Sequence, residues 1–179
     1  PGVVSTQGGG DSILPGMAGD PTTAQLDARA RRFLEANHFA SLTTFRPDHA
    51  EHSAHIVLAL VGDKLWSSGT ERRMRTVFLR LNPNAEVLVF PTRPGGYSTY
   101  NTGGFGASFL NLETTAEVLD GPEVANHSVE LFKVLQPNAA PGMLRWNGQP
   151  RSYDEFRQIM RDEGRVIYEF NVIRANGRY

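Results

Sequence analysis

Two runs of extended-chain periodicity, FASLTTF (39–45) and EHSAHIVLALV (51–61), are separated by the five residues RPDHA. Pro47 and Asp48 are residue types that turns favour, and the β-branched and aromatic alternation on either side suits strands, so this segment is read as an antiparallel hairpin. A second turn, GDK, leads into KLWSSG (64–69) and makes a three-strand meander. The outer edges of a meander carry unpaired backbone groups, which closure into a barrel removes. Three later segments supply the strands for closure: AEVLVF (85–90), FLNLETTAEVL (109–119) and RVIYEFNVIR (165–174). The expected fold is mainly β with flanking helices, built around a six-stranded antiparallel barrel.

Helical periodicity fills the intervals. From Thr22 onward, Leu26, Ala30, Phe33, Leu34 and Asn37 share one face. Further helices are expected from about Glu71 to the NPN stop at 82–84, and near 123–135 and 153–163, with a Pro/Gly-rich loop between the last two. The first 21 residues contain six glycines and three prolines and have no apolar period. They are read as an N-terminal arm (1–21) ahead of one domain spanning 22–179.

The second strand divides by its period of two. His52, Ala54, Ile56, Leu58 and Leu60 share one face, assigned to the barrel core apart from its entrance. Glu51, Ser53, His55, Val57 and Ala59 form the opposite, mixed face, which suits a ring system or a partner subunit. His52 and His55 therefore point apart and make a poor metal pair. His38, His49 and His127 read as structural or exposed, and no metal site is expected.

The segment LWSSGTERRMRT (65–76) carries the strongest functional signal. On a helix starting at Glu71, the spacing of Met74, Val77, Phe78 and Leu81 predicts a core-facing stripe, which leaves Arg72, Arg73 and Arg75 outside. Cations at a helix start oppose the macrodipole by roughly 0.3–1 kcal/mol each, and a bound anion would account for the placement. Free helix-start amides, the hydroxyls of Ser67, Ser68 and Thr70, and the three guanidiniums form a candidate phosphate cradle. The competing reading is a Thr70 helix cap with solvated arginines, one of them paired to Glu71.

The connection PTRPGGYSTYNTGGFGA (91–107) holds five glycines and three aromatics. Connections this long in a compact domain are usually functional or disordered. Tyr97, Tyr100 and Phe105 are candidates for a lid over a flat substrate, or for packing at a dimer interface. GGFG is no phosphate loop, because no Gly-Lys-Ser/Thr follows.

Charge excludes other classes. With 18 basic and 19 acidic side chains the net charge is -1, so no general attraction to nucleic acid or anionic membrane is expected. There is no cysteine, hence no disulfide framework and no thiolate chemistry. No apolar run is long enough to span a bilayer and no signal-peptide order is present, so a soluble, cytoplasmic protein is expected.

The pairing of SLTTFRPDHAEHSAHIVLAL with GDKLWSSGTERRMRTVFLRLNPNAEVLVF resembles the split β-barrel flavin and deazaflavin oxidoreductases, the superfamily of pyridoxamine 5'-phosphate oxidase. The closing RVIYEFNVIRANGRY is similar to that family's C-terminal strand. The resemblance covers roughly residues 26–120 and 165–179. It implies a homodimeric oxidoreductase that holds a phosphate-bearing deazaflavin, coenzyme F420, in a groove between subunits. Hydride would pass to a small electrophilic organic substrate, with no side chain required as a catalytic acid. Ser53, His55 and Val57 would face the cofactor, Ser67, Ser68, Thr70, Arg72, Arg73 and Arg75 its phosphate, and Tyr97, Tyr100 and Phe105 the substrate. Two departures stand out: His49 replaces the usual turn glycine, and the family's Arg-Lys phosphate pair falls on Met74 and Arg75. The altered pair and the surplus arginines favour the deazaflavin over FMN. An FMN-dependent oxidase or reductase, or a non-catalytic flavin- or haem-binding protein, are the alternatives.

Overall fold

The computed structural model describes residues 26–91 and 108–179. In chain order the elements are α1 (Ala28–Ala36), β1 (Phe39–Phe45), β2 (Glu51–Val61), β3 (Lys64–Thr70), α2 (Met74–Leu81), β4 (Asn84–Val89) and β5 (Phe109–Leu119). They are followed by α3 (Val124–Leu135), β6 (Met143–Trp146), β7 (Gln149–Ser152), α4 (Tyr153–Asp162) and β8 (Arg165–Arg178). Six strands close into a barrel in the order β1-β2-β3-β8-β5-β4, every pair antiparallel, as the sequence leads one to expect. The remaining two strands form a separate hairpin.

Alternation fills the barrel. Leu42, Ile56, Leu58, Leu65, Val87, Leu110, Leu112, Tyr168, Phe170 and Val172 point inward and are buried together with Leu26, Ala30 and Leu34 around α1. Asp27 caps α1 by accepting from the Ala30 amide at 2.7 Å. A second layer lies outside the sheet, where Val124 and Leu131 of α3 cover Ala59, Trp66 and Ile167. Phe156 and Met160 of α4 then pack on α3 and on Leu144 of the hairpin. Glu169, on the outward face of β8, is buried beneath this layer and accepts hydrogen bonds from the Trp66 indole N–H at 2.8 Å and from the Lys64 ammonium. A capping box between Ser152 and Glu155 starts α4.

Two expectations require correction. The β6–β7 hairpin occupies what reads as a loop; its strands are only four residues long, and Asn147 and Gly148 both adopt positive φ (49° and 79°) at its turn. The second correction concerns α2. It starts at Met74 with Arg73 as its cap, so Glu71, Arg72 and Arg73 form a turn ahead of it. The buried residues are Thr76, Phe78 and Leu79, whereas Met74, Val77 and Leu81 are 54%, 42% and 65% exposed. A polar contact sets this phase: the Thr76 hydroxyl meets the Tyr168 phenol at 2.6 Å inside the barrel and donates to the Thr70 carbonyl at 2.7 Å.

Candidate functional site

β2 and β3 are paired only from Leu58 and Ser67 to Val61 and Lys64. Before Leu58, β2 pairs with β1 alone; past Ser67, β3 pairs with β8 alone. The barrel wall therefore parts on the side where the turn at 71–73 lies. A cleft of about 350 Å³ is found there, lined by His52, Ser53, Ala54, Arg72, Arg73, Met74 and Arg75. Its wall contains three guanidiniums and no carboxylate.

The arginines are arranged unequally. Arg72 and Arg73 are exposed, while Arg75 is half-buried, which corrects the expectation that all three stay outside. The Arg75 guanidinium lies 6.0 Å from the centre of the Tyr168 ring, and its Nε is buried with no hydrogen-bond partner among the described residues. A buried donor without an acceptor costs about 1–3 kcal/mol, which an anion in the cleft would offset. Glu71 does not neutralise the cluster. It pairs instead with Arg80 at 2.8 Å, and Arg80 also reaches Asp120 at 3.0 Å.

Of the residues expected to hold a cofactor, the cleft brings together Ser53, Arg72, Arg73 and Arg75. Ser67 is placed elsewhere: the period of β3 sends Leu65, Ser67 and Gly69 inward, so Ser67 is fully buried opposite Tyr168 and its hydroxyl does not reach the cleft surface. Ser68 and Thr70 face the other way and are half-buried; the Ser68 hydroxyl is buried without a partner. The Thr70 carbonyl accepts from the Arg73 amide at 3.1 Å as well as from Thr76, closing the turn that carries the arginines. His55 and Val57 continue the outward face of β2 beyond Ser53, opposite Ser41 and Phe39 of β1, outside the cleft lining. The Ser53 hydroxyl is hydrogen-bonded to that of Thr43 at 3.0 Å.

His52 is not among the residues the sequence marks for the site, and the structure adds it. Its ring packs edge-on against Phe78 at 5.4 Å and its Nδ1 is buried without a partner. Beyond it lies a second cleft of about 590 Å³ between the β1–β2 turn and α2, lined by Arg46, Pro47, Asp48, His52, Met74 and Phe78. The other histidines are structural or exposed: His38 Nδ1 is 3.1 Å from the Leu58 carbonyl oxygen, His49 holds the turn with φ of 64°, and His127 packs on Trp66 at 4.8 Å. Among the described residues no three His, Cys, Asp or Glu side chains are grouped to hold a metal. Tyr97, Tyr100 and Phe105, and the arm at 1–21, lie outside the described residues.

No protein-family model and no curated protein matches this chain. Solved structures do. A conserved hypothetical protein of Mycobacterium tuberculosis superposes with a TM-score of 0.62 at 19% identity, over 86% of this chain and 84% of that one. An F420 reductase gives 0.53 at 18% identity over 82% and 94% of the two chains. A putative pyridoxamine 5'-phosphate oxidase of Listeria innocua gives 0.52 at 15% identity over 82% and 92%. The fold is thus the split barrel of the pyridoxamine 5'-phosphate oxidase-like proteins. No helix of the described residues is long and apolar enough to cross a membrane.

Proposed function

We propose that this split barrel binds a phosphate-bearing flavin-type cofactor, coenzyme F420 in the first reading and FMN in the second, and uses it to reduce an electrophilic organic substrate. The observation that carries the reading is the cleft of Arg72, Arg73 and Arg75, which has no carboxylate in its lining and an unpartnered buried donor at Arg75. A phosphate is the complement of such a wall, since each guanidinium can donate to a different oxygen. The likeness to an F420 reductase and to a putative pyridoxamine 5'-phosphate oxidase supports a cofactor of the same type.

When bound, the cofactor would supply the hydride chemistry; the chain supplies position and charge. Arg75 would hold the phosphate from the half-buried side and Arg72 and Arg73 from solvent, with Ser68 and Thr70 on the strand leading into the turn. The outward strip of Ser53, His55 and Val57 offers a surface along which a ring system would lie. No side chain is assigned as an acid or base.

A homodimer completes the proposal. Phe39, Leu88 and Phe109 are 50%, 39% and 38% exposed on the outer face of β1, β4 and β5, where Ser41 and Asn111 flank Leu88, a mixed surface suited to a twofold partner. Light scattering on the full chain checks this, and a monomer that binds cofactor fully contradicts a shared site.

Absorbance and fluorescence titration of the full-length protein with coenzyme F420 and with FMN tests the central reading. Saturable binding of one of them is expected, followed by oxidation of its reduced form by a panel of enones, quinones and nitroaromatics. Binding of neither would overturn the reading. Tight binding without turnover would replace the enzyme with a sequestering protein.

A further inference from the structure

We infer that Tyr168, inside the barrel and out of reach of any ligand in the cleft, is a positioning residue for the anion site and acts on it through Thr76. The inference rests on the anion reading above, and the hydrogen-bond directions carry it. The Thr76 hydroxyl has one hydrogen, and the 2.7 Å contact to the Thr70 carbonyl uses it, because a carbonyl only accepts. At the 2.6 Å contact with Tyr168 the Thr76 oxygen must then be the acceptor and the phenol the donor. The relay therefore runs from the Tyr168 O–H to the Thr76 hydroxyl and on to the Thr70 carbonyl.

Its end point is the anchor of the site. The Thr70 carbonyl also accepts from the Arg73 amide at 3.1 Å, so the turn bearing Arg72 and Arg73 is closed on an oxygen fixed from within the barrel. Arg75 precedes Thr76 on the same helix and lies over the Tyr168 ring. All three arginines are thereby referred to one buried side chain, which is 0% exposed. Anion sites gain affinity when their donors are held in place before the ligand arrives, since less freedom is lost on binding. Because Tyr168 is rooted in β8, which pairs with both β3 and β5, the turn takes its position from the barrel wall.

The test follows the arginine Nε–H signals of ¹⁵N-labelled full-length protein by NMR while inorganic phosphate is added. Wild type and Thr76→Ser, which keeps the hydroxyl, should titrate at the same phosphate concentration. Tyr168→Phe and Thr76→Val should each require roughly three- to tenfold more, and the double variant no more than the weaker single, because the relay acts as a unit. Leu34→Ala, a fully buried change on α1 away from Tyr168 and the turn, controls for lost stability and should leave the titration unmoved. If Tyr168→Phe and Thr76→Val titrate like wild type, or if Leu34→Ala shifts as far as they do, this inference falls while the anion reading stands. If wild type gives no phosphate response, the anion reading falls and takes the inference with it.

Discussion

A Cβ added to Gly69 would lie 2.0 Å from the hydroxyl oxygen of Tyr168 and 2.3 Å from its Cζ, so the two residues occupy one space inside the barrel. Tyr168 cannot yield, because it is fully buried and its hydroxyl is tied to Thr76. Gly69→Ala should destabilise the fold by about 1–3 kcal/mol, the usual cost of overpacking a core, and should disturb the turn at 70–73. Chemical denaturation checks it, and stability equal to wild type would show that β3 gives way freely.

Arg75→Ala should weaken cofactor binding by about 1.5–3 kcal/mol with the fold retained, the range for a hydrogen bond to a charged group. Arg157→Ala on α4, which removes an arginine paired to Asp154 on the same helix, is the matched control and should bind like wild type. Fluorescence titration compares them. Equal affinities for all three proteins would remove Arg75 from the site.

Glu169 is buried and accepts from both Trp66 and Lys64. Glu169→Ala would leave the Trp66 indole N–H without its acceptor, and a loss of about 1–3 kcal/mol is expected in urea denaturation. Lys64→Met should cost less, since the carboxylate keeps the indole and the lysine is half-exposed. A larger loss from Lys64→Met would reverse this ranking of the two partners.

Glu155 is held below the ordinary carboxylate value of 4.5, first by the backbone N–H of Ser152 and then by its hydroxyl. A carboxylate whose folded value is depressed stabilises the protein above the unfolded value, and that contribution disappears as pH falls through the folded one. The stability advantage of wild type over Glu155→Gln should therefore be constant at neutral pH and shrink on acidification below 4.5. Thermal melts across that range read it, and an advantage independent of pH would contradict the capping role.

The strands were legible because alternation and turn chemistry agreed: 39–45, 51–61 and 109–119 appear with the bounds the periodicity marks. The β6–β7 hairpin was obscured by its length, although Asn147-Gly148 is a direct turn signal at its centre. For α2, the apolar spacing selects Met74, Val77, Phe78 and Leu81 for the core; the structure buries Phe78 but exposes the other three and buries Thr76 and Leu79, with Thr76 tied to a phenol 92 residues away in sequence. No local pattern encodes that partner. The arginine cluster could be read from charge and dipole alone, but the burial of Arg75 and the inward turn of Ser67 depend on where β3 leaves β2, a tertiary fact. The period of β2 puts His52 on the core face but does not mark it for the site; its part in the cleft follows from the α2 turn lying beside it.

The account stands on the claim that the arginine cleft holds the phosphate of a flavin-type cofactor. It is tested most directly by titrating the protein with each cofactor beside its phosphate-free counterpart, coenzyme F420 against its deazariboflavin core and FMN against riboflavin. The account predicts that the phosphate-bearing member of the cognate pair binds at least about tenfold more tightly, as charge-assisted hydrogen bonds require. Equal affinity within both pairs would show that Arg72, Arg73 and Arg75 hold no phosphate, and would contradict it.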